Sequence, residues 1–162
     1  MSGSMGYGKL DIIIERIYNK YKNKINIIVI CGNNKKLKYN LHNKYREKII
    51  LKDFTNNINM YMKVSDLLLT KPGGLTSTES AVANIPTIFI DPIPGCENYN
   101  AEFFEDNGLC YYLTNIDDLE NYVDTLLYNK KVINRIKKNQ AKIINKNATK
   151  DICNFVINKC KN

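Results

Sequence analysis

The sequence predicts an α/β domain built on a doubly wound parallel sheet. Three features of the chain carry that expectation. Short, continuous apolar runs recur at residues 25–31, 67–70 and 87–91. Uninterrupted runs of that length suit parallel strands covered on both faces. Stretches with apolar residues at helical spacing lie between them. Glycine and proline turns close the runs, at Gly32, at Pro72-Gly73-Gly74 and between Pro92 and Gly95. Strand, turn, helix, strand is a βαβ unit. A series of such units gives a Rossmann-like sheet, whose ligands bind outside the carboxyl ends of its strands.

In chain order, residues 11–21 read as an amphipathic helix with Ile13, Ile14, Ile17 and Tyr21 on one face. Residues 25–31, INIIVIC, form a strand ending at Gly32. Residues 35–48 are a polar helix, 49–51 a short strand leading to Phe54 and Thr55, and 59–64 a short helix. The central unit follows: a strand at 67–70, the glycine turn, a helix over 76–83 and a strand at 87–91. Residues 99–106 read as a helix. Leu109, Tyr111 and Leu113 then alternate as strand residues do. Residues 117–128 form a helix with Leu119, Val123, Leu126 and Leu127 facing inward. Asp117 and Asp118 lie near its start, where acidic side chains suit the helix dipole. Residues 131–161 read as one or two helices.

At 162 residues the chain is expected to form one domain, 1–162. With 44% hydrophobic and 25% charged residues it is not a disordered composition. No apolar run approaches the roughly 20 residues of a membrane-spanning helix. The opening, MSGSMGYGK, lacks the basic-then-apolar pattern of a secretory leader, so a cytoplasmic location is expected. The five cysteines are scattered, with no C-x-x-C pair, and reduced thiols are expected. A lone histidine, His42, argues against a catalytic triad or a histidine metal site. The net charge of +8 leaves open an anionic partner surface or a merely solvated one, and no nucleic-acid motif accompanies it. Gly3, Gly8 and Lys9 nearly spell a phosphate-binding ATPase loop. Leu10 stands where the hydroxyl residue belongs and no strand comes before, so that reading is rejected.

The Pro72-Gly73-Gly74 turn carries the chemistry. Glycines let a backbone bend sharply and let a ligand approach its N–H groups. Those groups sit at a helix start, where donors are unpaired and the dipole is positive, a setting that favours a phosphate. Lys71, Thr76 and Ser77 add a cation and two hydroxyls. A second reading competes. Thr76 and Glu79 match the S/T-x-x-E capping box, which starts a helix with no ligand at all.

The wider string TKPGGLTSTES, followed by PTIFIDPIPGCENYNA, resembles the donor-nucleotide region of the family-28 glycosyltransferases. The likeness is to monogalactosyldiacylglycerol synthases and bacterial diacylglycerol glucosyltransferases. It implies half of a GT-B fold and an inverting transfer from a UDP-sugar, UDP-glucose or UDP-galactose, to a lipid hydroxyl without a bound metal or other cofactor. By that resemblance Gly73, Gly74, Leu75, Thr76 and Ser77 approach the diphosphate, with Lys71 assisting. SGSMGYG, including Gly6, resembles the family's first glycine loop, which also faces the diphosphate. Glu79 would bind the ribose hydroxyls, in competition with the capping box. Phe54 and Thr55 match the segment beside uracil, with core packing as the other reading of Phe54. Cys96, Glu97 and Asn100 match positions near the sugar, with helix capping as the other reading of Asn100. Relatives commonly carry glutamine at the Cys96 position, and a thiol is a weak hydrogen-bonding group, so the sugar stays open.

The resemblance also implies a strand ahead of the first glycine loop and an N-terminal domain with the acceptor site, neither of which is in these residues. A fragment without catalytic residues of its own is therefore expected. A sheet split at its centre would be completed by another chain or by rearrangement. The basic residues Lys130, Lys131, Arg135, Lys137, Lys138, Lys142, Lys146 and Lys150 suit peripheral contact with an anionic membrane, or a solvated outer face. Three functions stand: donor-binding domain of a glycolipid hexosyltransferase, domain of a lipid-carrier N-acetylglucosaminyltransferase, or non-catalytic nucleotide-binding module.

Overall fold

The computed structural model describes Met1 and residues 10–160. Gly6 and the rest of the first glycine loop lie outside the described residues. Five short strands form: β1 (Ile28–Ile30), β2 (Ile50–Lys52), β3 (Leu68–Thr70), β4 (Thr87–Phe89) and β5 (Tyr111–Tyr112). The helices are α1 (Leu10–Tyr21), α2 (Lys35–Tyr45), α3 (Ile58–Val64), α4 (Gly74–Val82), α5 (Cys96–Asp106), α6 (Leu119–Tyr128), α7 (Lys130–Ile143) and α8 (Ala148–Cys160). All pairings are parallel, as the continuous apolar strands require.

The sheet is in two pieces. β1 pairs with β2, and β3-β4-β5 form a separate sheet, with no ladder between β1 and β3. In a parallel ladder alternate residues turn their N–H and C=O groups to opposite sides. Cys31 N–H donates to Lys52 O and Ile50 N–H to Ile27 O, so Ile28 and Ile30 point away from β2. Leu68 N–H donates to Pro86 O and Ile90 N–H to Thr70 O, so Leu69 points away from β4. The Met1 ammonium occupies part of this opening and donates to Leu69 O at 2.7 Å. Burial pushes its pKa down to about 6.

Side chains hold the two pieces together. Ile13, Ile14, Ile17 and Tyr21 of α1 pack with Val29 and Cys31, with Ile88 and Ile90, and with Leu119, Val123 and Leu126 of α6. Each such fully buried aliphatic side chain contributes about 1.5–3 kcal/mol. A second cluster joins Phe89 to Ala101, Phe104, Leu109 and Cys110, with the Phe89 and Phe104 rings edge to face. Gln140 of α7 is buried, and its amide donates to Ile85 O at 3.0 Å and Leu109 O at 2.8 Å. One side chain thereby fixes the segments entering both β4 and β5. No described residue of α8 is buried, although Ile152, Phe155, Val156 and Ile157 are apolar.

Polar pairs clamp α1 to the start of α6. Arg16 donates to Glu120 through two nitrogens, at 2.7 and 2.8 Å, and to Asp117 at 3.1 Å. Tyr21 OH donates to Asp124, which also pairs with Lys20. The Arg16 hydrogen bond holds the Glu120 carboxyl below its usual range, and Lys20 does the same to Asp124. A depressed carboxylate stabilises the fold above its unfolded pKa, about 4, and loses that contribution as pH falls through the folded value. Urea unfolding between pH 6 and pH 3 should therefore show falling stability. Glu120→Gln should lower stability at pH 6 and flatten the acid limb; an unchanged limb would remove the clamp from the pH response.

Hydrogen exchange tests the split. The amides of Ile28, Ile30 and Leu69 should exchange faster than those of Cys31, Leu68 and Ile90, which donate across a strand pair. Equal protection across the two sets would mean the opening is closed in solution.

Candidate functional site

The glycine turn joins β3 to α4. Gly73 is the N-cap of α4, extended at φ −66° and ψ 141°, and no side chain caps the helix. The first helical bond runs from Ser77 N–H to Gly73 O. The N–H groups of Gly74, Leu75 and Thr76 therefore have no acceptor within the helix. The helix begins two residues before the expected start at Thr76. That overturns the capping box: Thr76 is the third helical residue, and a capping hydroxyl must come from an extended residue outside the helix. Glu79 is instead exposed, one turn beyond Leu75 on the same face. It sits about 7.5 Å along the axis from the first helical residue.

The glycines are not explained by the fold's own demands. Gly73 has an ordinary φ that any residue adopts, so the sharp bend expected of it is absent. A Cβ on Gly73 would lie 3.7 Å from Glu97 Oε1, and one on Gly74 would lie 4.0 Å from Asn100 Nδ2, both ordinary contacts. Gly95 differs, with φ +108°, as does Gly108, with φ +63° and Asn139 Nδ2 only 2.8 Å from where its Cβ would sit. What the pair at 73 and 74 leaves free is access to the backbone.

The hydroxyls are placed behind the turn. Ser77 is buried, and both its N–H and its Oγ–H donate to Gly73 O, each at 2.9 Å. Ser77 thus has no donor left for an anion and supports the turn from inside. Thr78 Oγ donates to Gly74 O. Lys71 is half-buried, and among the described residues it forms no ion pair. Leu75 is 81% exposed, so the first turn of α4 presents an open face.

The α5 helix braces this turn. It starts at Cys96, three residues before the expected 99, because Gly95 serves as its N-cap. Asn100 is therefore inside the helix and does not cap it. Its side-chain amide donates to Pro72 O at 2.9 Å. Glu97, one turn earlier on the same face, accepts a hydrogen bond from Ile93 N–H at 2.6 Å. In this structure each of these two side chains, expected near a sugar, makes one hydrogen bond to a Pro/Gly turn. The spacing Glu97-x-x-Asn100 carried the signal that they share a face. Cys96 is exposed at the first position of α5.

Phe54 and Thr55 follow the end of β2. Phe54 is 57% exposed, so core packing does not account for it. Thr55 Oγ accepts from Asn57 N–H and orders the loop into α3. Among the described residues no group of three or more His, Cys, Asp or Glu side chains is placed to hold a metal ion. A surface hollow of about 620 Å³ lies at the α6–α7 corner, lined by Asp124, Tyr128 and Lys130 among others, and includes none of the expected site residues.

The same fold occurs in known sugar-transferring enzymes. Acinetobacter baumannii MurG superposes with a TM-score of 0.68 at 18% identity, over 97% of this chain and 48% of that one. The glycotransferase of kitacinnamycin gives 0.69 at 14% identity, over 87% of this chain and 37% of that one. At such identities the likeness shows the fold, half of a GT-B glycosyltransferase. The sequence narrows it further. Residues 1–154 match the glycosyltransferase family 28 C-terminal domain, and the chain belongs to that family. A processive diacylglycerol beta-glucosyltransferase of Bacillus licheniformis is 32% identical over 84% of this chain, and one of Staphylococcus epidermidis 39% over 66%. The chain spans 36% and 28% of those relatives' lengths.

Alanine substitutions separate glycines the fold needs from those it does not. Gly73→Ala and Gly74→Ala should change unfolding free energy by less than about 1 kcal/mol, with Gly74→Ala, inside a helix, stabilising. Gly95→Ala should cost about 1–3 kcal/mol for its backbone conformation. Urea melts measure all three, and a large loss at position 73 or 74 would mean the fold itself requires the pair.

Proposed function

We propose that this chain is the donor-binding domain of a glycosyltransferase that passes a hexose from a UDP-sugar to diacylglycerol. The observation that carries the reading is the start of α4. Three backbone donors stand uncapped beside two glycines that the fold does not require. A diphosphate satisfies such donors, and the helix dipole adds about 0.3–1 kcal/mol per anion. The family and the named activity of its relatives support the same reading.

In this reading the N–H groups of Gly74, Leu75 and Thr76 hold the diphosphate, with Gly73 next to them, Lys71 as the cation and Ser77 supporting the turn. Glu79 accepts hydrogen bonds from the ribose hydroxyls. The exposed Phe54, with Thr55, meets the uracil. Cys96 lies nearest the sugar. Departure of UDP is helped electrostatically, because donors already oriented stabilise the charge that develops on the leaving oxygen. In this reading the acceptor and the base that deprotonates it are held outside the donor-binding domain. The chain by itself binds UDP and does not turn over. The cations of α7 face outward on a helix held by Ile136 and Gln140, a surface suited to an anionic inner-membrane face. No described helix is long and apolar enough to cross a membrane.

Titration calorimetry tests the reading with UDP and its 2′-deoxy analogue. Wild type should bind UDP more tightly than deoxy-UDP by about tenfold, the worth of one hydrogen bond to a charged group. Glu79→Ala should erase that preference and weaken deoxy-UDP, which keeps the 3′-hydroxyl, less than UDP. Absence of heat with UDP would overturn the donor-binding reading. A preference for UDP-N-acetylglucosamine over UDP-glucose and UDP-galactose would overturn the hexose.

A further inference from the structure

We infer that Asn100 is a positioning residue for the diphosphate, acting through the Pro72–Gly73 peptide rather than touching the sugar. The inference rests on the donor-binding reading and adds a mechanism to it.

A peptide unit is a rigid plane whose C=O and N–H point in opposite directions. Fixing one fixes the other. The Asn100 amide draws the Pro72 carbonyl towards α5 at 2.9 Å. The N–H of Gly73, in the same plane, is therefore aimed away from α5. It lies beside the free N–H groups of Gly74, Leu75 and Thr76 at the helix start.

This plane needs an external hold. Proline followed by glycine is compatible with two turn types that differ by a flip of the peptide between them. Gly73 has no Cβ to penalise the flipped state. Pro72 is fully buried, so the ring cannot move, but the peptide after it is free to rotate. Asn100 reaches across 28 positions of sequence to settle the orientation. Glu97 does the same for the neighbouring turn through Ile93 N–H, leaving its second oxygen on the Gly73 side. A carboxylate there opposes an anion, so a correctly aimed Gly73 N–H matters more, and Lys71, two residues before Gly73, is the nearest cation in sequence.

The two roles for Asn100 differ in which ligand feels its loss. A sugar contact affects UDP-sugars alone. A hold on the peptide affects every ligand that carries the diphosphate, and leaves the nucleoside untouched. The probes are uridine, UDP and UDP-glucose, titrated into wild type, Asn100→Leu and Asn100→Gln. Leucine keeps the size and removes the donor; glutamine keeps the donor on a longer arm. Asn100→Leu should weaken UDP and UDP-glucose equally, by about two- to tenfold, the range for one neutral hydrogen bond. Uridine should bind as to wild type, and Asn100→Gln should recover part of the loss. Weakened UDP-glucose with unchanged UDP would overturn the inference in favour of a sugar contact. Equal weakening of uridine, or no recovery with glutamine, would overturn it in favour of general damage to the fold. Wild type that binds no UDP would instead overturn the donor-binding reading beneath it.

Discussion

Backbone N–H groups at the start of a helix have no acceptor within it, and each helix must find one elsewhere. At two helices this chain solves the problem with asparagine. Asn34 accepts from Leu37 N–H at the start of α2, and Asn129 from Val132 N–H at the start of α7. Asparagine is abundant along the sequence and capping by it contributes about 1 kcal/mol. At α4 the chain places glycine at the N-cap and glycine again at the first helical position. Both choices sacrifice stability, the first by omitting a cap and the second by placing glycine where alanine is better. Those donors are the ones that the donor-binding reading assigns to a diphosphate.

The remainder of the domain holds that helix start in place. β3 and β4 share a ladder, so the turns that leave them lie side by side at one end of the sheet. Asn100 and Glu97 tie α5 to both turns. Ser77 fills the inside of the turn with its own hydrogen bonds, and Pro72 beneath it is buried. Behind them Gln140 fixes the approach to β4, and the Phe89 cluster packs α5 against the sheet. A site that binds through backbone donors gains little from mobile side chains. It gains from a frame that stops the backbone from moving, and preorganised donors need no rearrangement when charge develops.

Much of this was legible in the sequence. The strands announced themselves as unbroken apolar runs, and the helices as amphipathic stretches, because burial on two faces or one leaves those patterns. Helix starts were read less well. Thr76 looked like a cap and Asn100 looked like another, since both are residues that cap helices elsewhere. The deciding fact was that glycine occupied each N-cap, which local pattern ranks below serine, threonine and asparagine. The directions of Ser77 and Asn100 were not legible either. Their hydrogen bonds go to Gly73 O and Pro72 O, and the second depends on the packing of α5 across the sheet end. The family's motif spans residues that the structure brings together at one end of the sheet, Gly73 beside Glu97 and Gly74 beside Asn100.

These contacts bear on selectivity. A site tells sugars apart mainly by polar groups that are left unpaired when the wrong hydroxyl arrives. On the donor-binding reading, the α5 side chains beside the glycine turn are Glu97 and Asn100, and each already has one backbone partner. The exposed side chain at the helix start is Cys96, whose thiol is a weak partner for a hydroxyl. On that reading the α5 edge braces the turn that meets the diphosphate, and the atoms of Glu97 and Asn100 that these two bonds do not use, Oε1 and Oδ1, are what it offers a sugar.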